Sequence, residues 1–235
     1  MLEWLNTPID ANRAHEIETW VAWHGRTMLL AWGIIAPLAV IVARFFKIMP
    51  GQDWPRELDN PVWWRSHWMG QSLVVVLSAV GLWMVLPFGG FFTHSTLGSV
   101  LLLGLVIQVL LGLFRGSKGG PTKGAPGETE RGHHYDMTPW RRMFEALHKS
   151  LGYALIGLAA ATIVLGLWDA NGPVWMWLVL SAWWIALIGI FVHLQGRGFA
   201  VDTYQAIWGD DPAHPGNKLP TPGWWVRRPG DAPDD

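Results

Sequence analysis

Residues 94–114 read HSTLGSVLLLGLVIQVLLGLF, a histidine followed by a run without a single formal charge. At about 1.5 Å of rise per residue this run is about 30 Å long, the thickness of a bilayer's hydrocarbon core. Three further runs have the same form, with His24 in WHGRTMLLAWGIIAPLAVIVAR, His67 in SHWMGQSLVVVLSAVGLWMVL and His148 in LHKSLGYALIGLAAATIVLGLW. A fifth run, 174–195, has its histidine, His193, only at the far end. In hydrocarbon a backbone must satisfy its own amides, so each run is a helix. The chain therefore reads as an all-α integral membrane protein of five spans, at about 22–45, 66–88, 94–115, 147–168 and 174–195. Four of these are expected to form a bundle, and the fifth is an additional transmembrane helix. A histidine at such depth is costly unless partnered, which makes all four candidate site residues.

Composition agrees. Of 235 residues 51% are hydrophobic and only 15% charged. There is no cysteine, which excludes disulfides, iron–sulfur clusters, covalent c-type haem attachment and thiolate ligation. The first 20 residues carry Glu3, Asp10, Glu16 and Glu18 with no apolar core segment, unlike a cleavable signal peptide. With five spans the termini fall on opposite sides. Of the 17 Lys and Arg residues only Arg13 and Arg26 lie on the N-terminal side. Juxtamembrane Lys and Arg mark the cytoplasmic face, so residues 1–21 form a periplasmic segment and 196–235 a cytoplasmic tail. Between them, 22–195 is the transmembrane domain of a multi-pass membrane protein. No nucleic-acid partner is expected.

Tryptophans at 20, 23, 63, 64, 68, 140, 168 and 175 fall at the expected interfaces, where an indole keeps its N–H wet and its ring in lipid. Trp183 and Trp184 fall mid-span and read as packing residues. Residues 116–131 (GSKGGPTKGAPGETER) read as a mobile loop, and the Pro- and Gly-broken tail from 209 as lacking a core of its own. Trp208, Trp224 and Trp225 read as exposed tail residues suited to docking a partner. His15 and His214 read as solvated and His193 as a span-end residue. His133 and His134 read as a solvated loop pair rather than metal ligands.

Alternation of helix direction gives the four histidines their geometry. The first and third spans place His24 and His94 at the periplasmic level, and the second and fourth place His67 and His148 at the cytoplasmic level. Alternate helices of a four-helix bundle face each other diagonally, so two imidazoles can take both axial positions of one iron. The pattern predicts two b-type haems, held by His24 with His94 and by His67 with His148, about 20–25 Å apart in helical rise. Gly98 and Gly152 lie one turn after His94 and His148, where a missing side chain lets a porphyrin approach the backbone. Gln108 lies 14 residues past His94 on the same face, and Gly81 stands in the same relation to His67. Arg44, Arg141, Arg142 and Lys149 are candidates for pairing with haem propionates or for plain interfacial anchors, as are Arg26 and Lys47.

These residues resemble the membrane core of the cytochrome b561 superfamily, in the bacterial form related to the domain found beside DOMON modules. The matching pieces are His24-Gly-Arg-x-Met28 with Trp32-Gly33, Pro37 and Ala43-Arg44; His67-x-x-x-Gln71; His94-x-x-x-Gly98 with Gln108; and His148-Lys-x-x-Gly152. They cover residues 20–195. The resemblance implies a four-helix core with two pairwise-ligated haems and transmembrane electron transfer. Eukaryotic ascorbate-linked members have six spans, and the five here weigh against ascorbate as donor. The expected function is single-electron transfer between a quinol or soluble donor and an acceptor across the membrane. The competing reading is a haem-bearing subunit or anchor of a larger respiratory or photosynthetic complex, with membrane subunits or a second copy as partners. No acid–base pair or nucleophile constellation is visible.

Overall fold

The computed structural model describes residues 3–87, 92–115 and 138–229. Five of its helices are long and apolar enough to cross a membrane: α1 (Thr19–Phe45), α2 (Pro61–Val85), α3 (Phe92–Leu113), α4 (Pro139–Asp169) and α5 (Val174–Gly196). A sixth, short helix, α6 (Thr203–Trp208), lies in the tail. Among the described residues no strand forms, only the isolated bridges Pro8–Pro173 and Val201–Arg227. Proline opens α2 and α4, where its missing N–H is one that no helix uses. The spans lie within three residues of expectation except at the starts of α2 and α4. Helix α2 runs from 61 to 85 instead of 66 to 88. Helix α4 starts at Pro139 rather than 147, because Arg141, Glu145 and Lys149 at four-residue spacing carry the helix beyond the apolar run through ion pairs.

Helix α1 is not uniform. Residues Leu29–Ile35 form a π-helical stretch, in which the Ala36 N–H bonds to the carbonyl of Ala31, five residues back. Its cause is Pro37, which has no N–H to give Gly33 and whose ring would crowd that carbonyl in an ordinary helix. The released Gly33 carbonyl accepts the indole N–H of Trp183 on α5 at 2.8 Å. The fifth helix thus supplies the hydrogen bond that Pro37 removes. Trp183, expected only to pack, is a specific polar partner.

The chain packs as two compact units, and all five long helices divide between them. The first comprises Met1–Leu38, Met69–Val106 and Tyr153–Val192. Its core includes Ala31, Trp32, Val74, Leu101 and Ala159, and Trp32 donates its indole N–H to Ser78 Oγ at 3.0 Å. The N-terminal segment is strapped to the α4–α5 turn. Asn171, fully buried, accepts the Asp10 N–H at 3.0 Å and donates to the carbonyls of Asp10 and Arg13 at 3.0 and 2.7 Å. Arg13 donates to the Trp168 carbonyl and stacks over its ring. His15 stays exposed, as expected, with Nδ1 on the Ala170 carbonyl.

The second unit comprises Ala39–Trp68, Ile107–Gly152 and His193–Asp235. Here the tail departs from expectation. Every residue of α6 is buried, and Tyr204, Ile207 and Trp208 pack with Trp63 in one cluster. Asp202 caps α6 by accepting the Gln205 N–H. The stretch beyond 209 returns through a 3₁₀ turn, Pro215–Lys218, tied by Asn217 to the carbonyls of Gly209 and Asp211. Trp208 is therefore core rather than exposed, and His214 is half-buried against it rather than solvated. Trp224 and Trp225 are exposed, as expected. The expected loop at 116–131, His133 and His134 lie outside the described residues.

Candidate functional site

The first unit brings His24 and His94 together. His24 sits in α1, and its Nδ1 is 2.8 Å from the Gly81 carbonyl of α2. His94 sits at the start of α3, with Nδ1 3.1 Å from the Thr162 carbonyl of α4. A carbonyl only accepts, so each Nδ1 carries the proton and each Nε2 keeps its lone pair for a ligand. A helical carbonyl can accept a second bond only where the next turn leaves room. At Thr162 room comes from Gly166, one turn on, where a Cβ would stand 2.8 Å from His94 Cε1; a Cβ on Gly81 would instead meet Met28 Sδ at 2.8 Å. The two imidazole centroids are 6.1 Å apart at an interplanar angle of 82°.

The second unit brings together His67 and His148, with centroids again 6.1 Å apart, at 79°. The His67 Nδ1–H donates to the Ala39 carbonyl of α1 at 3.3 Å. The His148 ring stacks on Phe144 at 5.0 Å. Gln108 donates its amide N–H to the backbone carbonyl of His148 at 2.9 Å. A Cβ on Gly152 would stand 3.0 Å from that amide nitrogen, so Gly152 admits the Gln108 side chain to the helix. Gly98, expected like Gly152 to let a porphyrin approach the backbone, faces open space, with nothing within 4 Å of where a Cβ would stand. His148 Nδ1 and Gln108 Oε1 are buried without a partner among the described residues.

These pairs fit the expected cofactor on metric grounds. With metal–nitrogen bonds of about 2.0–2.1 Å and about 1.1 Å from ring nitrogen to ring centre, two imidazoles across one ion have centroids about 6.3 Å apart. Both pairs fall within a few tenths of an ångström of that value. Among the described residues no three His, Cys, Asp or Glu side chains gather to hold a bare ion. Each histidine pair would supply two imidazole ligands to a metal whose remaining ligands a macrocycle provides.

The cations are built in rather than free at the surface. Glu145, buried, takes Arg141 Nε at 3.4 Å and Lys149 Nζ at 2.8 Å. Arg44 donates to Gln195 Oε1 and to the Trp224 carbonyl, and Lys149 also reaches the Pro222 carbonyl. Arg26, by contrast, lies over the Trp23 ring in the manner of an interfacial anchor. Lys47 is buried and donates to the Val201 carbonyl at 2.7 Å. Burial holds its ammonium down to about 7, helped by the charges of Lys149 and Arg44 and opposed by Glu145 and Asp202. Burial also raises the Asp202 carboxyl above the usual range, with Lys47 opposing the rise.

Sequence reasoning missed the carbonyl partners at Gly81, Thr162 and Ala39, together with Phe144, Glu145 and Gly166. Backbone acceptors leave no trace in side-chain identity. Gly166 did leave one: it lies 14 residues past Gly152, the spacing that led from His94 to Gln108.

The chain is 29% identical over 201 residues to ferric-chelate reductase 1 of Homo sapiens, covering 80% of this chain and 30% of that protein. It is 24% identical over 177 residues to a cytochrome b561 and DOMON domain-containing protein of Arabidopsis thaliana, covering 73% and 36%. These relatives point to the cytochrome b561 family. A putative ferric-chelate reductase 1 of Danio rerio is 25% identical over 210 residues, covering 85% and 33%. The chain thus spans about a third of the length of the relatives it matches. No family model and no solved structure matches it. With the five apolar helices, the relatives mark a multi-pass membrane protein.

Proposed function

We propose that this chain is a di-haem b-type cytochrome that passes single electrons across a bacterial inner membrane. The observation that carries the reading is the doubled pair: two sets of imidazoles on four apolar helices, each set 6.1 Å apart. His24 with His94 and His67 with His148 would each hold one haem b, which when bound supplies a one-electron iron couple. The chain's own part is to fix the rings. Nδ1–H bonds to the Gly81, Thr162 and Ala39 carbonyls set tautomer and orientation at three of the four. Arg44, Arg141 and Lys149 gather positive charge in the unit of His67 and His148, suited to carboxylates such as propionates.

The distribution of Lys and Arg puts His24 and His94 toward the outside and His67 and His148 toward the cytoplasm. The donor is a quinol or a soluble reductant. A ferric chelate is the acceptor class that the relatives' names supply. The competing reading, a complex subunit docked through an exposed tail, loses one of its three tryptophans, because Trp208 is core.

The test is the dithionite-reduced minus oxidised spectrum of purified protein, with haem counted per chain. Two haems in the wild type and about one in each of His94→Ala and His148→Ala are expected from one iron per histidine pair. A colourless wild-type protein sinks the reading.

A further inference from the structure

The turn from Pro222 to Val226 is held at the ends of two membrane-length helices. Arg44, next to the last residue of α1, donates to the Trp224 carbonyl at 2.9 Å. Gln195, next to the last residue of α5, donates to the Trp225 carbonyl at 2.8 Å and accepts Arg44 on its own oxygen. The helix ends and the turn are one hydrogen-bonded knot. Its two indoles face away from the protein, Trp224 63% and Trp225 78% exposed. Trp225 also has a φ of 52°, beside Gly223 at 118°. A bulky residue stays in that left-handed region only where its surroundings over-determine it, and such positions cluster at working parts of a fold.

Two adjacent exposed indoles in a strained turn are poorly placed in water. At headgroup level they are well placed, with rings against acyl chains and N–H groups wet. The last residues of α1 and α5 mark that level. We propose that Trp224 and Trp225 insert into the interfacial layer of the lipid bilayer and clamp the C-terminal tail in place within the second unit. The clamp bears on the site. Tail carbonyls at Val201 and Pro222 accept Lys47 and Lys149, the latter adjacent to His148. A tail pinned by lipid keeps those cations covered. The inference rests on α1 and α5 spanning the membrane and is independent of haem.

The chain has no cysteine, so single labelling sites are simple to introduce. Trp224→Cys and Trp225→Cys in the full-length protein carry a nitroxide label in phosphatidylcholine–phosphatidylglycerol vesicles. Collision with oxygen and with a water-soluble nickel chelate then reports depth. Asp211→Cys, exposed in the tail, gives the aqueous reference and Val179→Cys, exposed on α5, the lipid reference. Labels at 224 and 225 are expected between the two references, with oxygen favoured over nickel. Labels matching position 211 overturn the proposal, and so do labels shielded from both reagents, which is the signature of a protein partner. An aqueous Val179 label instead overturns the membrane reading beneath it. Because labelling removes an indole, a second measurement keeps both. Trypsin cleavage after Arg227 in vesicles (the bond after Arg228 is closed to trypsin by Pro229) is expected to run about ten-fold faster in Trp224→Ala/Trp225→Ala than in wild type, through easier local opening. Equal rates overturn the clamp.

Discussion

In the first unit both imidazoles lean on neutral backbone, each Nδ1–H meeting a carbonyl of a neighbouring helix, with Gly166 making the space at His94. In the second, His67 has a longer carbonyl bond and His148 is held by the Phe144 ring and the Gln108 contact to its backbone. The surroundings differ as well. Among the described residues the first unit buries no charged side chain, whereas the second buries Lys47, Arg141, Glu145 and Asp202. Equal ring spacing is thus reached by two routes. Backbone support fixes a ring and resists tuning by mutation, while packing and charge leave it adjustable. If each pair holds a haem as proposed, the second pair is the one whose potential a few side chains would set.

That contrast can be broken in order of effect. The largest change is the loss of one pair at a time: on the di-haem reading, His94→Ala and His148→Ala are each expected to remove about one of two haems and leave the other spectrum intact, read by haem count. Next, Glu145→Gln leaves Arg141 buried beside a neutral amide. It is expected to cost about 3 kcal/mol of stability in thermal unfolding and to disturb only the haem of His67 and His148.

Lys47 gives the second unit a pH signature. Its ammonium has a value of 10.5 when unfolded and about 7 when folded, so between these the unfolded chain holds the extra proton. Stability therefore rises with pH from about 7 to 10.5, by at most about 1.4 kcal/mol per pH unit, and Lys47→Met flattens the rise. Unfolding of both proteins across that range checks it.

Gly166→Ala drives a methyl group against the His94 ring and is expected to cost about 1–3 kcal/mol and to loosen the first haem. Gly152→Ala meets only the tip of the Gln108 amide, which can swing away, so a cost of about 0.5–1 kcal/mol is expected, with both haems retained. Haem titration of the two variants side by side ranks the supports.

The apolar runs made the five helices legible, because span length and absence of charge are forced by the solvent. Reading the histidines by helix direction also led to the pairs that the structure brings together. Other features were hidden for physical reasons. Whether α4 continues past its apolar run depends on the Arg141–Glu145–Lys149 pairs, which hydropathy counts only as charge. The π-helical stretch follows from Pro37, but the donor that satisfies Gly33 comes from Trp183, far along the chain. The folding of the tail was legible and passed over: Ala200, Val201, Tyr204, Ile207 and Trp208 fall at helical spacing, and all five are buried.

The strap around Asn171 has a practical consequence for anything joined ahead of residue 1. Six residues, Met1 to Asn6, precede Thr7, whose carbonyl is already bonded to Val174. At about 3.3–3.6 Å per residue, that leash reaches at most about 21 Å. A reporter or redox module fused there cannot roam the membrane surface. It is tethered at short range to the α4–α5 turn, in the unit that carries His24 and His94.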